Sequence, residues 1–301
     1  MRETRPRRLR RALALACALL ATASLATAPR ATRAAAVEAQ DKLTAEEVVA
    51  KHLESIGPAG ARSGVQTLVV AGTSRASWKA RNTSGAIDGQ LVIASKDDKS
   101  VLGMSFPAPN YPGEKFGYDG RKLTVGYIKP GVRSVLGTFL LTNGEVVKEG
   151  LIGGTLSSAW AVANLAERKA KVEYAGTAKV GDVTAHKLRY SPSKGSDLQI
   201  TLFFDASNFR HVRTQYDRHT GARLAAGGAE AQAGQRAGRT RLVEDFSEFR
   251  REGKLTLPHR YKLVLEIENQ TGTSTDAWEM ELSQFAFNED LEDGGFDVEG
   301  K

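Results

Sequence analysis

Five histidines (His52, His186, His211, His219 and His259), one cysteine (Cys17) and an acidic run starting at Asn288 are the side chains here that could bind a metal or move a proton. His211 and His219 stand eight apart on a strand or at its end, with no carboxylate at ligand spacing, and read as surface imidazoles. The run Asn288-Glu289-Asp290-Leu291-Glu292-Asp293-Gly294 looks briefly like a calcium loop, but that loop needs Gly at position six and Glu at twelve. Position six is Asp293, and Glu299 reaches position twelve only after that mismatch. No G-x-S-x-G nucleophile turn, H-E-x-x-H zinc pair or phosphate-cradling glycine loop is present. Nothing in the sequence places two carboxylates in one cleft. The expectation is a binding protein without catalytic residues, metal or cofactor.

Cys17 belongs to a different kind of segment. Residues 1–36 run from six arginines in the first eleven positions, through an apolar stretch from Ala12 to Ala28, to Ala34-Ala35-Ala36. That order reads as an export signal cleaved near Ala36. The apolar stretch falls short of the roughly 20 residues of a membrane helix. Lipid attachment at Cys17 needs an aliphatic residue three before it, where Ala14 stands. An uncleaved leader or a lipidated Cys17 would instead anchor the chain. Without the leader's eight arginines and one glutamate, the 42 basic and 35 acidic residues become 34 of each. The net charge of +7 is therefore a property of the leader, and no basic surface remains for nucleic acid. The rest of the chain lacks cysteine and must be held by one large core.

Residues 37–301 read as a single, mainly β domain. Thr44 followed by Glu47 has the spacing of a capping box, and Val48, Val49, Leu53 and Ile56 continue a helix that Gly57 and Pro58 end. The period then becomes two. Leu198, Ile200, Leu202 and Phe204 alternate with wetter residues, as do Tyr261 to Ile267 and Trp278, Met280 and Leu282. Further strands are expected over 65–79, 86–95, 101–106, 115–118, 122–127, 171–179, 184–191, 209–218 and 240–249. An antiparallel sheet of about eleven strands without helical crossovers has to curl. Residues 132–165 break the alternation and are punctuated by five glycines. They read as a lid with helices over 133–141 and 157–165, lying in the concave face of the sheet. Residues 219–238, rich in Ala and Gly, read as a mobile loop.

Three phrases carry a resemblance. They are LTAEEVVAKHLESIG, the strand pair ending in a turn at Asp205, and Asp245-Phe246-Ser247-Glu248-Phe249-Arg250 followed by Leu257-Pro258. Together with the closing Phe287-Asn288 and Phe296, they resemble the LolA-type periplasmic lipoprotein-carrier family, the outer-membrane lipoprotein-sorting proteins. Arg251-Glu252-Gly253-Lys254 departs from that family's usual Asp-Gly turn. The resemblance implies an incomplete, half-open β-barrel with helices in its mouth. It also implies a monomer that carries acyl chains of lipoproteins or other lipids from an inner-membrane donor to an outer-membrane acceptor, without cofactor or covalent chemistry. A lipid- or peptide-sensing regulatory module on the same scaffold is the alternative. The residues offered as groove lining are Trp78, Met104, Phe106, Phe116, Phe139, Leu140, Trp160, Leu202 and Phe204. Aromatics at period two also serve any β core, so the sequence leaves both roles open for each.

Overall fold

The computed structural model describes residues 43–220, 238–270 and 272–299. The leader, Cys17 and most of the 219–238 loop lie outside them. Among the described residues, no helix is long and apolar enough to cross a membrane.

Helix α1 (Ala45–Ile56) opens the domain on the expected box. The Thr44 amide donates to Glu47 Oε2 at 2.7 Å, and the Glu47 amide donates to Thr44 Oγ1 at 3.2 Å. Its buried stripe is Ala45, Val48, His52 and Ile56, so a histidine occupies the middle of the apolar face. Helix α1 ends at Ile56 with Gly57 as its C-cap, where the sequence puts its end. Pro58 serves as N-cap to a five-residue helix, α2 (Ala59–Ser63), because its missing N–H removes no helical bond at that position.

Five strands follow as a meander: β1 (Thr67–Ala80), β2 (Thr83–Lys96), β3 (Lys99–Ser105), β4 (Gly113–Tyr118) and β5 (Leu123–Val125). The second meander comprises β6 (Lys171–Val180), β7 (Val183–Ser191), β8 (Gln199–Asp205), β9 (His211–Thr220), β10 (Gly238–Glu252), β11 (Leu255–Asn269) and β12 (Gly272–Phe287). All twelve form one antiparallel sheet in the order β5-β4-β3-β2-β1-β12-β11-β10-β9-β8-β7-β6. The pair β1–β12 joins the meanders at the centre, with Trp78 opposite Asp276 and Ala76 opposite Trp278. Pro258 is tolerated in β11 because pairing with β12 begins only at Arg260.

This topology dictates where the lid goes. The chain leaves the sheet at β5, one edge, and re-enters at β6, the other edge. The connection must therefore cross a whole face. It is built from α3 (Val135–Thr142), α4 (Glu145–Lys148), short 3-10 turns at Gly154–Leu156 and Ala161–Asn164, and α5 (Leu165–Arg168). The first expected helix is present. The second is not: residues 157–159 are bend and turn, and only Ala161–Asn164 forms a 3-10 turn, its first amide donating back to the Gly150 carbonyl at 3.0 Å.

The same segment measures the curl. Helix α4 contacts β4, while its C-cap Glu149 accepts a hydrogen bond from Tyr190 Oη of β7 at 2.8 Å. Those strands are nine places apart in the sheet, which at ~4.8 Å per strand is roughly 43 Å if flat. One four-residue helix can reach both only because the sheet bends around it. The inward positions of the strands and the lid make a continuous core that includes Leu91, Phe116, Leu140, Leu202, Phe204 and Met280.

Candidate functional site

Buried polar groups fasten the lid at three points, two of them on the sheet and one on α1. On β10 the inward positions are Leu242, Glu244 and Phe246, so a carboxylate lies in the core. Glu244 accepts from Tyr216 Oη and Tyr261 Oη, each at 2.6 Å, and from the backbone N–H of Gly153 in the lid at 2.7 Å. Burial pushes its pKa up to about 7, against the lowering effect of those three donors.

The second fastening is at the start of α3. Ser134 caps this helix by accepting from the Gly137 amide at 2.8 Å, and its hydroxyl donates to buried Glu114 of β4 at 2.5 Å. The other Glu114 oxygen accepts from Tyr111 Oη at 2.6 Å, and Tyr111 Oη in turn accepts from Trp278 Nε1 at 2.8 Å. Burial likewise raises the Glu114 pKa to about 7.

His52 makes the third. Trp160 Nε1 donates to His52 Nε2 at 3.0 Å, and Nδ1 lies 3.0 Å from the Phe209 carbonyl. An acceptor nitrogen at Nε2 and a donor at Nδ1 define the neutral ring, and burial lowers the pKa to about 4. His211 lies beside it, buried, with its ring 4.7 Å from those of Trp160 and Phe246. The reading of His211 as a surface group is therefore wrong, and that of His219 holds. His52, His186, His211 and His259 are buried, and only His219 is exposed.

Beyond these fastenings a cavity of about 460 Å³ opens between the end of β1–β12 and the first turn of α3. Its apolar walls are Ala76, Ile87, Ile128, Val135 and Leu136. Trp78, Tyr111 and Trp278 supply aromatic surface, and Glu114, Asp276 and Ser134 the polar part. Trp78 is 39% and Val135 48% exposed, so apolar surface stands in solvent at its mouth. A larger cavity, about 860 Å³, lies between α2 and the end of the lid. Arg62, Asp97, Asp98, Glu167 and Arg168 line it, and that charged wall would cost a hydrocarbon chain dearly.

No family model matches the sequence, and no curated protein does. Solved structures do. A LolA superfamily protein from Nitrosomonas europaea is similar at 17% identity and TM-score 0.47, over 84% of this chain and 97% of that one. A DUF1329 family protein from Desulfovibrio piger is similar at 10% identity and TM-score 0.40, over 84% and 97%. A putative outer membrane lipoprotein-sorting protein domain from Vibrio parahaemolyticus is similar at 14% identity and TM-score 0.39, over 83% and 96%. The first and third are of the group that the sequence phrases resemble.

Of the nine residues offered as lining, Trp78 stands in the cavity wall and the other eight are buried elsewhere. Met104 accepts from Ser74 Oγ, and Phe106 stacks behind Tyr111 with ring centroids 5.3 Å apart. Phe139 and Leu140 lie buried on α3, and Phe116 and Leu202 are in the core. Trp160 and Phe204 both lie against His52. The residues missed are Tyr111, Glu114, Asp276 and Trp278. A signal existed for the acids: Glu114 stands two before Phe116, and Asp276 two before Trp278, which puts each on the inward face of its strand.

Trp78 owes its position to the residue across from it. A Cβ on Gly85 would come 2.2 Å from the Trp78 ring, so the indole lies flat over a strand position that has no side chain. Gly85→Val is expected to displace the ring and shift its fluorescence in a Trp160→Phe, Trp278→Phe background. The unfolding free energy should change by no more than about 1 kcal/mol, because the position lies at the rim. Unchanged emission would show that Gly85 does not seat the ring.

Proposed function

We propose that this protein carries lipid through the periplasm, holding hydrocarbon in the cavity beneath α3 and making no covalent change to it. The observation that supports this most directly is the cavity itself. Its volume falls in the range of small-molecule sites, roughly 300–1,000 Å³. Its walls are apolar and aromatic, and its mouth leaves Trp78 and Val135 half in water. Each buried CH2 is worth about 0.8 kcal/mol, so a carrier needs surface that nearly matches what a membrane offers and can be vacated. A partly exposed groove end under a capped helix suits that balance better than a closed core. The leader over residues 1–36 would export the chain, and donor and acceptor would be the two envelope membranes.

Three tryptophans make the reading testable. Trp78 and Trp278 line the cavity, whereas Trp160 is buried beside His52. A neutral alkyl maltoside brominated along its chain should quench the protein's emission, and should do so equally in Trp160→Phe. It should quench little in the Trp78→Phe, Trp278→Phe double variant. Absence of quenching in the wild type, or quenching confined to Trp160, would overturn the proposal.

A further inference from the structure

Resting on the reading of this cavity as a hydrocarbon site, we propose that its occupant is a cationic amphiphile, with an ammonium head against Asp276 and the faces of Trp78 and Trp278, and its tail along Ile87, Val135 and Leu136. The argument begins with Asp276. It sits on the inward face of β12, directly across from Trp78 and two residues before Trp278. Among the described residues it has no hydrogen-bond or ion-pair partner, and burial raises its pKa. The outward carboxylates of the same strand are treated differently. Glu279 pairs with Lys262 at 2.6 Å and Glu281 with Arg260 at 3.0 Å. Strand β12 thus meets its cations on the outer face and leaves one inward acid without any. An unpaired carboxylate against indole rings costs stability, and perturbed acids of this kind gather at functional sites.

The surroundings fit a cation and nothing of opposite sign. Among the described residues, no lysine or arginine lines the cavity. Lys129, near its rim, is bound to Asn110 Oδ1 at 3.0 Å, and Arg133 lies over the Tyr127 ring. Glu114 adds a second carboxylate, whose two oxygens already hold Tyr111 and Ser134. An anionic head would face both acids across low-dielectric walls. A cation would satisfy Asp276 and gain the quadrupole attraction of two indoles, the strongest of the aromatic side chains in this respect. The Trp278 N–H edge is occupied by Tyr111.

Three twelve-carbon detergents separate head from tail: dodecyltrimethylammonium, dodecyl maltoside and dodecyl sulfate, each below its micelle concentration, with Trp160→Phe as the fluorescent reporter. The cation should bind about tenfold more tightly than the maltoside, and the sulfate more weakly than either. Asp276→Asn should bring the cation's Kd to that of the maltoside and leave the maltoside unchanged. Trp78→Leu, which keeps the tail's apolar contact, should weaken the cation more than the maltoside. Binding of all three heads within twofold, tightest binding of the sulfate, or a cation preference that survives Asp276→Asn would overturn the cation assignment while the hydrocarbon site stands. Failure of all three to bind would remove the hydrocarbon site as well.

Discussion

Replacing Glu244 by alanine is expected to cost the protein about 4 kcal/mol, whereas Glu244→Gln should cost less than about 1 kcal/mol near pH 6. The alanine variant leaves the Tyr216 and Tyr261 hydroxyls and the Gly153 amide without their shared acceptor in a fully buried site. An orphaned buried donor costs about 1–3 kcal/mol, and the lost side chain leaves a cavity besides. Against a typical stability of 5–15 kcal/mol, a loss of this size is a large share of the whole. Glutamine keeps the volume and the network. Its carbonyl can accept from Gly153 and Tyr261, while its amide donates to the Tyr216 oxygen. Urea unfolding of the three proteins decides the matter. Equal stability of the alanine and glutamine variants would mean that the lid is not fastened through this carboxylate.

The elements that were legible in the sequence are those whose local chemistry matches their tertiary role. The Thr44–Glu47 box forms as its spacing requires, and period-two runs such as 198–204 and 278–282 are strands because one face of the sheet is buried and the other wet. The curl followed from strand number. The second lid helix was not legible, since the Ala161 amide donates to the Gly150 carbonyl at 3.0 Å instead of to a partner four residues back. Gly150 needs positive φ and a bare Cα at once: a Cβ there would stand 1.9 Å from the Ala159 carbonyl oxygen. Such a contact depends on chain folded back from nine residues away, which no local pattern records.

The site was less legible than the fold for a related reason. Large aromatics announce themselves, but burial alone does not say whether a side chain lines space or fills it. Phe204 and Trp160 fill it, packed around two imidazoles, and Trp78 lines it because Gly85 lets its ring lie at the rim. The more informative signs were polar residues at apolar parity. His52 falls four after Val48 and four before Ile56. Glu244 falls between Leu242 and Phe246. Each breaks the rule of its own element, and each holds the lid.

Those fastenings predict a stability profile with two limbs. Glu114 and Glu244, raised by burial to about 7 in the folded protein, give up their protons near pH 4.5 when unfolded. Between these values the folded chain holds protons that the unfolded chain has lost, so stability falls as pH rises toward 7 and stays lower above it. Each group accounts for up to about 3 kcal/mol. His52, lowered by burial to about 4, and His211, lowered well below its usual value, act in the opposite sense. The unfolded imidazoles bind protons below pH 6.5 that the folded ones refuse, and stability falls as pH drops through that value toward 4. From 4.5 to 6.5 the two pairs oppose each other and the profile is flat; outside that window each limb belongs to one pair. The neighbours that bear on these groups are Tyr111 and Asp276 at Glu114, the two tyrosines and Asp245 at Glu244, and Arg62 at His52. The Glu114→Gln, Glu244→Gln double variant should lose the alkaline limb and keep the acid one. At pH 8.5 it should be more stable than the wild type, by up to several kcal/mol if both amides keep their partners. Because both carboxylates hold lid groups, amide exchange in residues 134–156 of the wild type should quicken above pH 7 before that of the sheet does. An alkaline limb unchanged in the double variant would assign the loss of stability to other groups and leave the lid's fastenings indifferent to pH.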